Sequence, residues 1–363
     1  ISVKDNSEYL LVDIKQTAFQ NQHVANKIVY TSSELLAENK EHIIVAQYLN
    51  GMRINENIFQ TDNPGNLLNY SEINSENIEL DHRYQVVENF PIFRTRTVPV
   101  IRHFLASREG FYFGGILLEN NSELFFGENI YILSNLKYSL YDAFDQLYLP
   151  PKDIYPNQVR SDIKKYLNNL SNGISIGRLE INFFKSLKKR HFFRFSGGIL
   201  EEMFAGIGGE YQYYPQGSLI SYGAEYFYVN KRDYSLDFKM LNYKNSLARV
   251  NASLYEPKTK IRAKISYGEY LAGDYGFTYE LSRRFQNGIE FGIFFTLTDV
   301  TSEQFGEGSF DKGIKIKVPF SFTKIRDRGS NSLNTFEWHP LTKDPGARLI
   351  KSVDILDEIV RFR

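Results

Sequence analysis

Side chains able to do acid–base, nucleophilic or metal chemistry are few and poorly grouped in this sequence. His23, His42, His82, His103, His191 and His339 lie far apart, and none falls in an HExxH or other paired-ligand spacing. Cysteine is absent, which removes thiolate ligands, a disulfide frame and a cysteine nucleophile. Asp81 and His82 form a dyad only by adjacency. Glu201 and Glu202 are neighbours, and in a strand they would point to opposite faces, a poor acid/base pair. Gly206-Ile207-Gly208-Gly209 and the Gly306–Gly308 stretch lack the Lys-Ser/Thr tail and following helix of a phosphate cradle, so strand bends or bulges are the expected reading. No catalytic set, metal or cofactor is expected.

What does recur is charge on one face of alternating segments. Arg194, Glu202, Glu210, Glu225, Asp237, Lys239, Arg249, Arg262, Lys264, Glu280, Glu290, Lys315 and Lys317 all fall there. Both signs are mixed. A selective ion pore tends to carry rings of one sign. A mixed lining suits a neutral or bulky polar solute, whose hydroxyls it hydrogen-bonds in place of water, or a salt-bridged plug. Tyr214 and Tyr255, on the same face, have the chemistry to stack on sugar rings, but a girdle or packing role suits them better.

Such charges need elements with a period of two. In 219–230, Ile220, Tyr222, Ala224, Tyr226 and Tyr228 oppose Ser221, Gly223 and Glu225. The same alternation is read in 233–241, 247–255, 261–268, 275–282 and 313–322, and more weakly upstream from 111. In 233–241 it sets Tyr234, Leu236, Phe238 and Met240 against Ser235, Asp237 and Lys239. The segments repeat every 12–15 residues or roughly so, the length of a tilted membrane strand plus a turn. About 12 strands of this kind would hide their edges by closing into a barrel. A soluble sandwich or lipocalin-like barrel also alternates, but the helical content expected here is too small to cover so much apolar face.

Composition agrees. Aromatics are 15% of the 363 residues, with Phe 29 and Tyr 25, as girdles at two lipid boundaries require. Net charge is +0, which argues against a nucleic-acid partner. No apolar run reaches the roughly 18 residues of a membrane helix. Ile1 opens directly into polar sequence, as in a mature or trimmed product. Residues 1–65 differ from the rest. Tyr9–Ile14, His42–Tyr48 and Met52–Phe59 read as strands, Asn50-Gly51 as a hairpin turn, and 22–39 has helical spacing. Residues 60–90 are rich in Asn, Ser, Asp and Glu and read as linker.

Several longer runs are distinctive. They include Val159-Arg160-Ser161-Asp162, Gly197–Glu210, Val229–Tyr234, Gly268–Gly276, Ser282–Phe285, Thr296–Val300, Phe305–Gly313 and Pro340–Leu349. Together they resemble the YjbH/GfcD-like family of outer-membrane exopolysaccharide and capsule proteins. The resemblance implies an outer-membrane barrel acting in production or export of an extracellular polysaccharide, with no catalytic residues to carry over. Family members are usually longer and begin as lipoproteins. The chain is therefore expected to be the C-terminal part of a longer protein, or a short member. Phe362 is penultimate, off the usual terminal insertion signal.

The expected architecture is mainly β: an antiparallel transmembrane β-barrel at 110–340 with a small N-terminal α/β domain at 1–65 in the periplasm. A linker would occupy 66–109 and a tail 341–363. The expected partners are a polysaccharide, outer-membrane lipid and periplasmic exopolysaccharide-export proteins. Candidate substrate contacts in the lumen or its loops are Arg194, Glu210, Glu225, Arg232, Asp237, Arg249, Arg262, Asp274, Glu307, Asp311 and Lys312. Gly268, Gly273 and Gly276 around Asp274 mark a tight turn. Arg232-Asp233 marks a strand boundary, and Glu307, Asp311 and Lys312 are expected in an ion-paired loop over the lumen. A non-enzymatic, passive role is expected. The alternatives are a polysaccharide-modifying enzyme, for which Glu210 and Glu225 are a conceivable carboxylate pair, and a general solute porin.

Overall fold

A computed structural model describes residues 2–5, 9–15, 28–30, 32–33, 42–60, 67–68, 89–151, 155–187, 190–215, 218–319 and 333–361. The helical reading of 22–39 lies mostly outside these residues.

The first unit is a five-stranded sheet. Its strands are β1 (Ser2–Asp5), β2 (Tyr9–Ile14), β3 (His42–Leu49), β4 (Met52–Gln60) and β5 (Leu67–Leu68), in chain order across the sheet. Only β2 and β3 pair in parallel. The run Ile43-Ile44-Val45-Ala46 is buried on both faces, so it reads as continuous apolar sequence. Asn50 (φ 47°) and Gly51 (φ 69°) turn β3 into β4, as a two-residue hairpin with both central residues left-handed requires.

The second unit is one antiparallel sheet of 13 strands in sequential order. It runs through β6 (Ile92–Ser107), β7 (Gly110–Phe125), β8 (Ile130–Asp142), β9 (Ile174–Leu187), β10 (His191–Ile199) and β11 (Phe204–Tyr213). It continues through β12 (Ile220–Arg232), β13 (Met240–Glu256), β14 (Ile261–Glu269), β15 (Tyr275–Arg284), β16 (Glu290–Thr298), β17 (Asp311–Pro319) and β18 (Leu333–Trp338). β6 and β18 are its two edges among the described residues. Pro99 sits in edge strand β6, where its missing N–H leaves no ladder bond unmade toward a further strand.

The alternation is inverted relative to a water-soluble sheet. Tyr222, Tyr226 and Tyr228 of β12, Val250 and Leu254 of β13, and Phe277, Tyr279 and Leu281 of β15 are exposed. Their neighbours Ser221, Ser253 and Thr278 are buried, as are Arg194, Glu210, Gln212 and Lys317 on other strands. The buried face wraps round a shared interior. One apolar cluster joins Phe113 and Leu117 of β7 to Phe204 of β11, Phe227 and Val229 of β12 and Leu247 of β13. Strands that far apart in one sheet share a core only if the sheet curls.

The two rims of the curl differ. Short turns after β7, β11, β13 and β15 lie at the rim that carries the first unit. There Met52 and Ile54 of β4 pack with Tyr131, Phe184 and Phe192. The opposite rim holds the long 143–173 connection, with α1 (Ile163–Asn168), and the 299–310 connection, with α2 (Ser302–Phe305).

Three readings need correction. Ile92–Ser107 is a sheet strand, though it falls in the stretch read as linker; its inward Arg94, Arg96 and Arg102 disguise it. Residues 233–239 are a turn and not a strand: Leu236 takes φ 56° and is buried, while Phe238 is exposed. The tail beyond Arg348 does not leave the sheet but runs inside it.

Candidate functional site

Four adjacent strands carry a row of charge across the inner face. Arg194 of β10 stands opposite Glu210 of β11, Glu210 opposite Glu225 of β12, and Glu225 opposite Arg249 of β13. The two acids in the middle are like charges directly across a strand pair, which is destabilising unless a cation joins them. The chain supplies that cation from its own C-terminus. Lys351 Nζ contacts Glu210 and lies 2.7 Å from Glu225.

Lys351 belongs to a segment that threads the interior from rim to rim. It begins past β18 at the rim of the long connections. There Asp344 accepts the backbone N–H groups of Val159, Arg160 and Ser161, each at 2.8 Å. Gly346 (φ 78°) donates its N–H to Asp274 at 2.7 Å. Arg348 then pairs with Glu280 at 2.5 Å and Glu337 at 2.8 Å, its guanidinium 4.4 Å from the Phe294 ring centre. Next, Val353 O and Ser352 Oγ each accept from Arg194 at 2.9 Å. Asp354 faces Lys264 at 3.5 Å.

The segment ends in α3 (Ile355–Arg361). Asp357 there meets Arg262 and Lys317, both at 2.5 Å, and those two cations share Glu290. Ile355, Leu356, Ile359 and Val360 repeat at helical spacing and form one apolar stripe. They pack with Tyr131, Phe184, Phe192, Tyr214 and Tyr255 beside the first unit. Tyr214 and Tyr255 are thus inward and buried, holding the helix.

Arg194 is the hub. At 1% exposure, its five N–H donors find five acceptors: Asn182, Glu210, Glu180, Val353 O and Ser352. The buried charge is therefore fully hydrogen-bonded, as an interior site demands.

The other candidate residues divide by place. Arg249 (3.5 Å from Glu225) and Arg262 belong to the charged interior. Asp274, Asp311, Lys312 and Glu307 lie at the rim of the long connections. Asp274 sits in the predicted turn, where Gly273 takes φ 88°. Burial pushes its carboxyl up to about 6, with the Gly346 N–H working the other way. Glu307 is exposed, Lys312 donates to Gly308 O at 3.0 Å, and Asp311 pairs with His339 at 2.8 Å. Asp311 of that loop is thus tied to the residue after β18. Arg232 ends β12 as expected, yet it is no surface pair with Asp233. It is fully buried and donates to the carbonyls of Ile176, Glu201, Glu202 and Asp237, stapling two turns to the start of β9. Asp237 is a correction: it lies in an exposed turn, where it accepts the Lys239 N–H at 2.8 Å, and not on the inner face.

Sequence reading missed Glu180, Asp344, Arg348, Lys351, Asp354 and Asp357. For the last three the signal was Lys351-Ser-Val-Asp354-Ile-Leu-Asp357, charges at a spacing of three beside an apolar stripe, but nothing local points it inward.

His339 gives a pH-dependent lock at the rim. Burial disfavours its charged ring, but hydrogen bonds to Asp311 and Glu337 outweigh that and push its pKa up to about 9. A folded value above the ordinary 6.5 means the gain is fully present below pH 6.5 and lost as pH rises through about 9. The protein should lose about 1–2 kcal/mol over that window, after discounting for partial exposure. Thermal midpoints in detergent at pH 6 and 9.5, for the native chain and His339→Gln, check this. A substitution that leaves the difference between the two pH values unchanged would remove His339 from the account.

A curled antiparallel sheet with an apolar outside, and a charged inside filled by its own chain end, defines a mainly β protein of inverted amphipathicity. The sequence profile of the YjbH family, described as exopolysaccharide biosynthesis protein YbjH, matches residues 3–360, and the chain belongs to that family. It is also 29% identical over 268 residues to the uncharacterized lipoprotein YjbH of Escherichia coli (strain K12). That match covers 71% of this chain but 37% of the relative, so the chain spans little more than a third of its relative's length.

Proposed function

We propose that this chain is an outer-membrane β-barrel that assists export of an extracellular polysaccharide, with its lumen closed at rest by residues 344–361. The observation that carries the reading is the inverted sheet: contiguous Tyr, Phe, Ile, Leu and Val outward, ion pairs inward. Water would penalise that exterior and lipid would not. Apart from 320–332, the connections at the rim of the first unit are short, and the longest, 143–173, lies at the other, as a periplasmic and an outer side respectively would have it. The first unit then hangs in the periplasm, where export proteins can dock on it.

The mechanism is passive. Interior Arg, Lys, Glu, Asn and Ser groups exchange hydrogen bonds with sugar hydroxyls in place of water. While Lys351 bridges Glu210 and Glu225, and Arg194 holds Val353, a polymer has no path. Passage requires the tail to move. The same bridge speaks against the enzyme reading, because both carboxylates of the conceivable pair are held by one lysine. Purified protein is expected to leave polymer chain length unchanged. A closed resting lumen also separates this protein from a general porin.

A strain deleted for the gene should retain polymer in the periplasm; normal secretion from that strain would defeat the proposal. The lipid-facing assignment has its own test. Val250, at 55% exposure in mid-β13, should tolerate Ala. Val250→Arg should cost about 2–4 kcal/mol when folding into vesicles, the price of a cation at bilayer depth. Equal folding midpoints for the two variants would mean that this face does not meet lipid.

A further inference from the structure

The ion pairing of the interior lapses at one end of β6. Inward cations on other strands meet carboxylates, as Lys137 does Glu119, Arg178 does Glu180, Arg249 does Glu225 and Lys317 does Glu290. At the far end of β6 itself, Arg102 meets Glu202 at 2.8 Å. Arg94 and Arg96 differ. The register sets Ile92, Arg94 and Arg96 on one face with Phe125, Glu123 and Asn121 of β7. Phe125 packs on the interior cluster, so that face is the inner one. Both arginines are half-buried, and neither forms an ion pair or a hydrogen bond among the described residues. Glu123 stands across from Arg94, but no ion pair joins the two.

The guanidinium of Arg94 lies 4.9 Å from the Phe125 ring centre. A contact of that kind steadies the side chain and leaves its N–H edge open to an acceptor. Asn121 lies opposite Arg96 and is exposed. Its Oδ1 accepts from Asn135 at 2.7 Å, which leaves the two N–H donors of its amide for another group. Two guanidinium forks and an amide on one stretch of wall therefore offer donors. Planar forks of this type fit the paired oxygens of a carboxylate. Arg94 and Arg96 are two residues apart, about 7 Å along the strand, further than the oxygens of one carboxylate span. A chain bearing repeated acid groups can engage both. Place matters as much as chemistry. β7 ends at the rim that carries the first unit, so its antiparallel neighbour β6 begins there, and Arg94 and Arg96 stand just inside that rim.

We infer that Arg94, Arg96 and Asn121 form an entry subsite for the carboxylates of an acidic polysaccharide. The inference rests on the export reading above and names the chemical class of the polymer. A chain arriving from the side of the first unit meets these donors first. Further in, Arg194, Arg249, Arg262 and Lys317 already hold carboxylates of the protein, so they attract an acidic chain less than the entrance does. Capture and release are thus graded along the wall.

The full chain, in a detergent without a sugar head group, is titrated at low salt with trigalacturonate, maltotriose and inorganic phosphate, and the heat of binding is read. Trigalacturonate should bind with Kd on the order of 1 mM, weakening as salt rises, because exposed charges are screened. Maltotriose, of similar size and uncharged, should give no heat. Phosphate should bind more weakly than the trimer, since one ion engages fewer of the donors. Arg94→Gln with Arg96→Gln should weaken trigalacturonate about ten- to a hundred-fold, the loss of charged hydrogen bonds. Asn121→Asp keeps the size of the side chain and sets a carboxylate opposite Arg96, so it should weaken the trimer by about ten-fold with both arginines in place. Both variants are compared once they show the heat-shift of the folded protein on an unboiled gel. No binding of the trimer, equal binding of maltotriose, phosphate as tight as the trimer, or trimer binding that survives both variants would each overturn the assignment. None of these outcomes touches the polymer phenotype of the deletion strain, so the subsite can fail while the export reading stands.

Discussion

A chain shortened to end at Leu341 should conduct ions across a planar bilayer where the full chain stays closed. The closing segment makes its contacts in two modes. At the middle, Arg348 and Lys351 neutralise Glu280, Glu337, Glu210 and Glu225, and Asp354 and Asp357 neutralise Lys264, Arg262 and Lys317. At the rim of the short turns, four apolar side chains of α3 pack on aromatic residues. Burial of each is worth about 1.5–3 kcal/mol, so the helix anchors the segment while the charges set its path. Removing the segment admits water, and water solvates the stranded acids and bases more cheaply than an apolar interior would. The shortened protein should therefore still fold, less stably, around an open and bipolar channel. A synthetic peptide of residues 342–361 should close it again. Milder damage should give flicker in place of steady opening: Arg348→Ser with Lys351→Ser loosens the middle and leaves α3 docked. A shortened protein that keeps its heat-shift on a gel yet passes no current would show that something other than this segment closes the interior.

Much of the sheet could be read before any coordinate, because a strand writes its two faces into alternate residues. Ser221 against Tyr222, Ser253 against Leu254 and Thr278 against Phe277 are in the sequence as they are in space. The Gly268–Gly276 turn was legible for a different reason: Gly273 needs a left-handed backbone that few residues adopt. The same rule failed where its premise failed. Tyr234, Leu236, Phe238 and Met240 alternate, but residues 233–239 form a turn, and a run that short cannot tell a strand from coincidence. In β6 the inward positions carry Arg94, Arg96 and Arg102 and the chain includes Pro99, so polarity looked like linker.

The candidate site was half legible. Which charges face inward follows from the period of two, and Arg194, Glu210, Glu225, Arg249 and Arg262 were found that way. What fills the space between them did not follow. Lys351 meets Glu210 and Glu225 across 141 and 126 residues of sequence. No local pattern encodes such a partner. The one internal hint was electrostatic: Glu210 and Glu225 lie opposite each other once the register is known, and two facing acids require a third group. Register, and with it that requirement, came only from the structure.

Arg194 carries the second large effect. Replacing it with Met should destabilise the full chain by about 3–5 kcal/mol, because Glu180 and Glu210 would lose a major partner inside a closed interior. Lys is not a rescue. Its three donors cannot reach the five acceptors that the planar guanidinium serves, so Arg194→Lys should recover less than half of the loss. Removing the stranded charge should help more: Arg194→Met with Glu210→Gln is expected to be more stable than Arg194→Met alone, a coupling that a double-mutant cycle measures from thermal or urea midpoints. Two of the five bonds end on Ser352 and Val353, which gives the cycle a further arm. In the chain ending at Leu341 those acceptors are gone and water reaches the carboxylates, so the same Arg194→Met change should cost about 1 kcal/mol or less. An equal cost in both backgrounds would mean that Arg194 braces the strands alone and has no part in holding the tail.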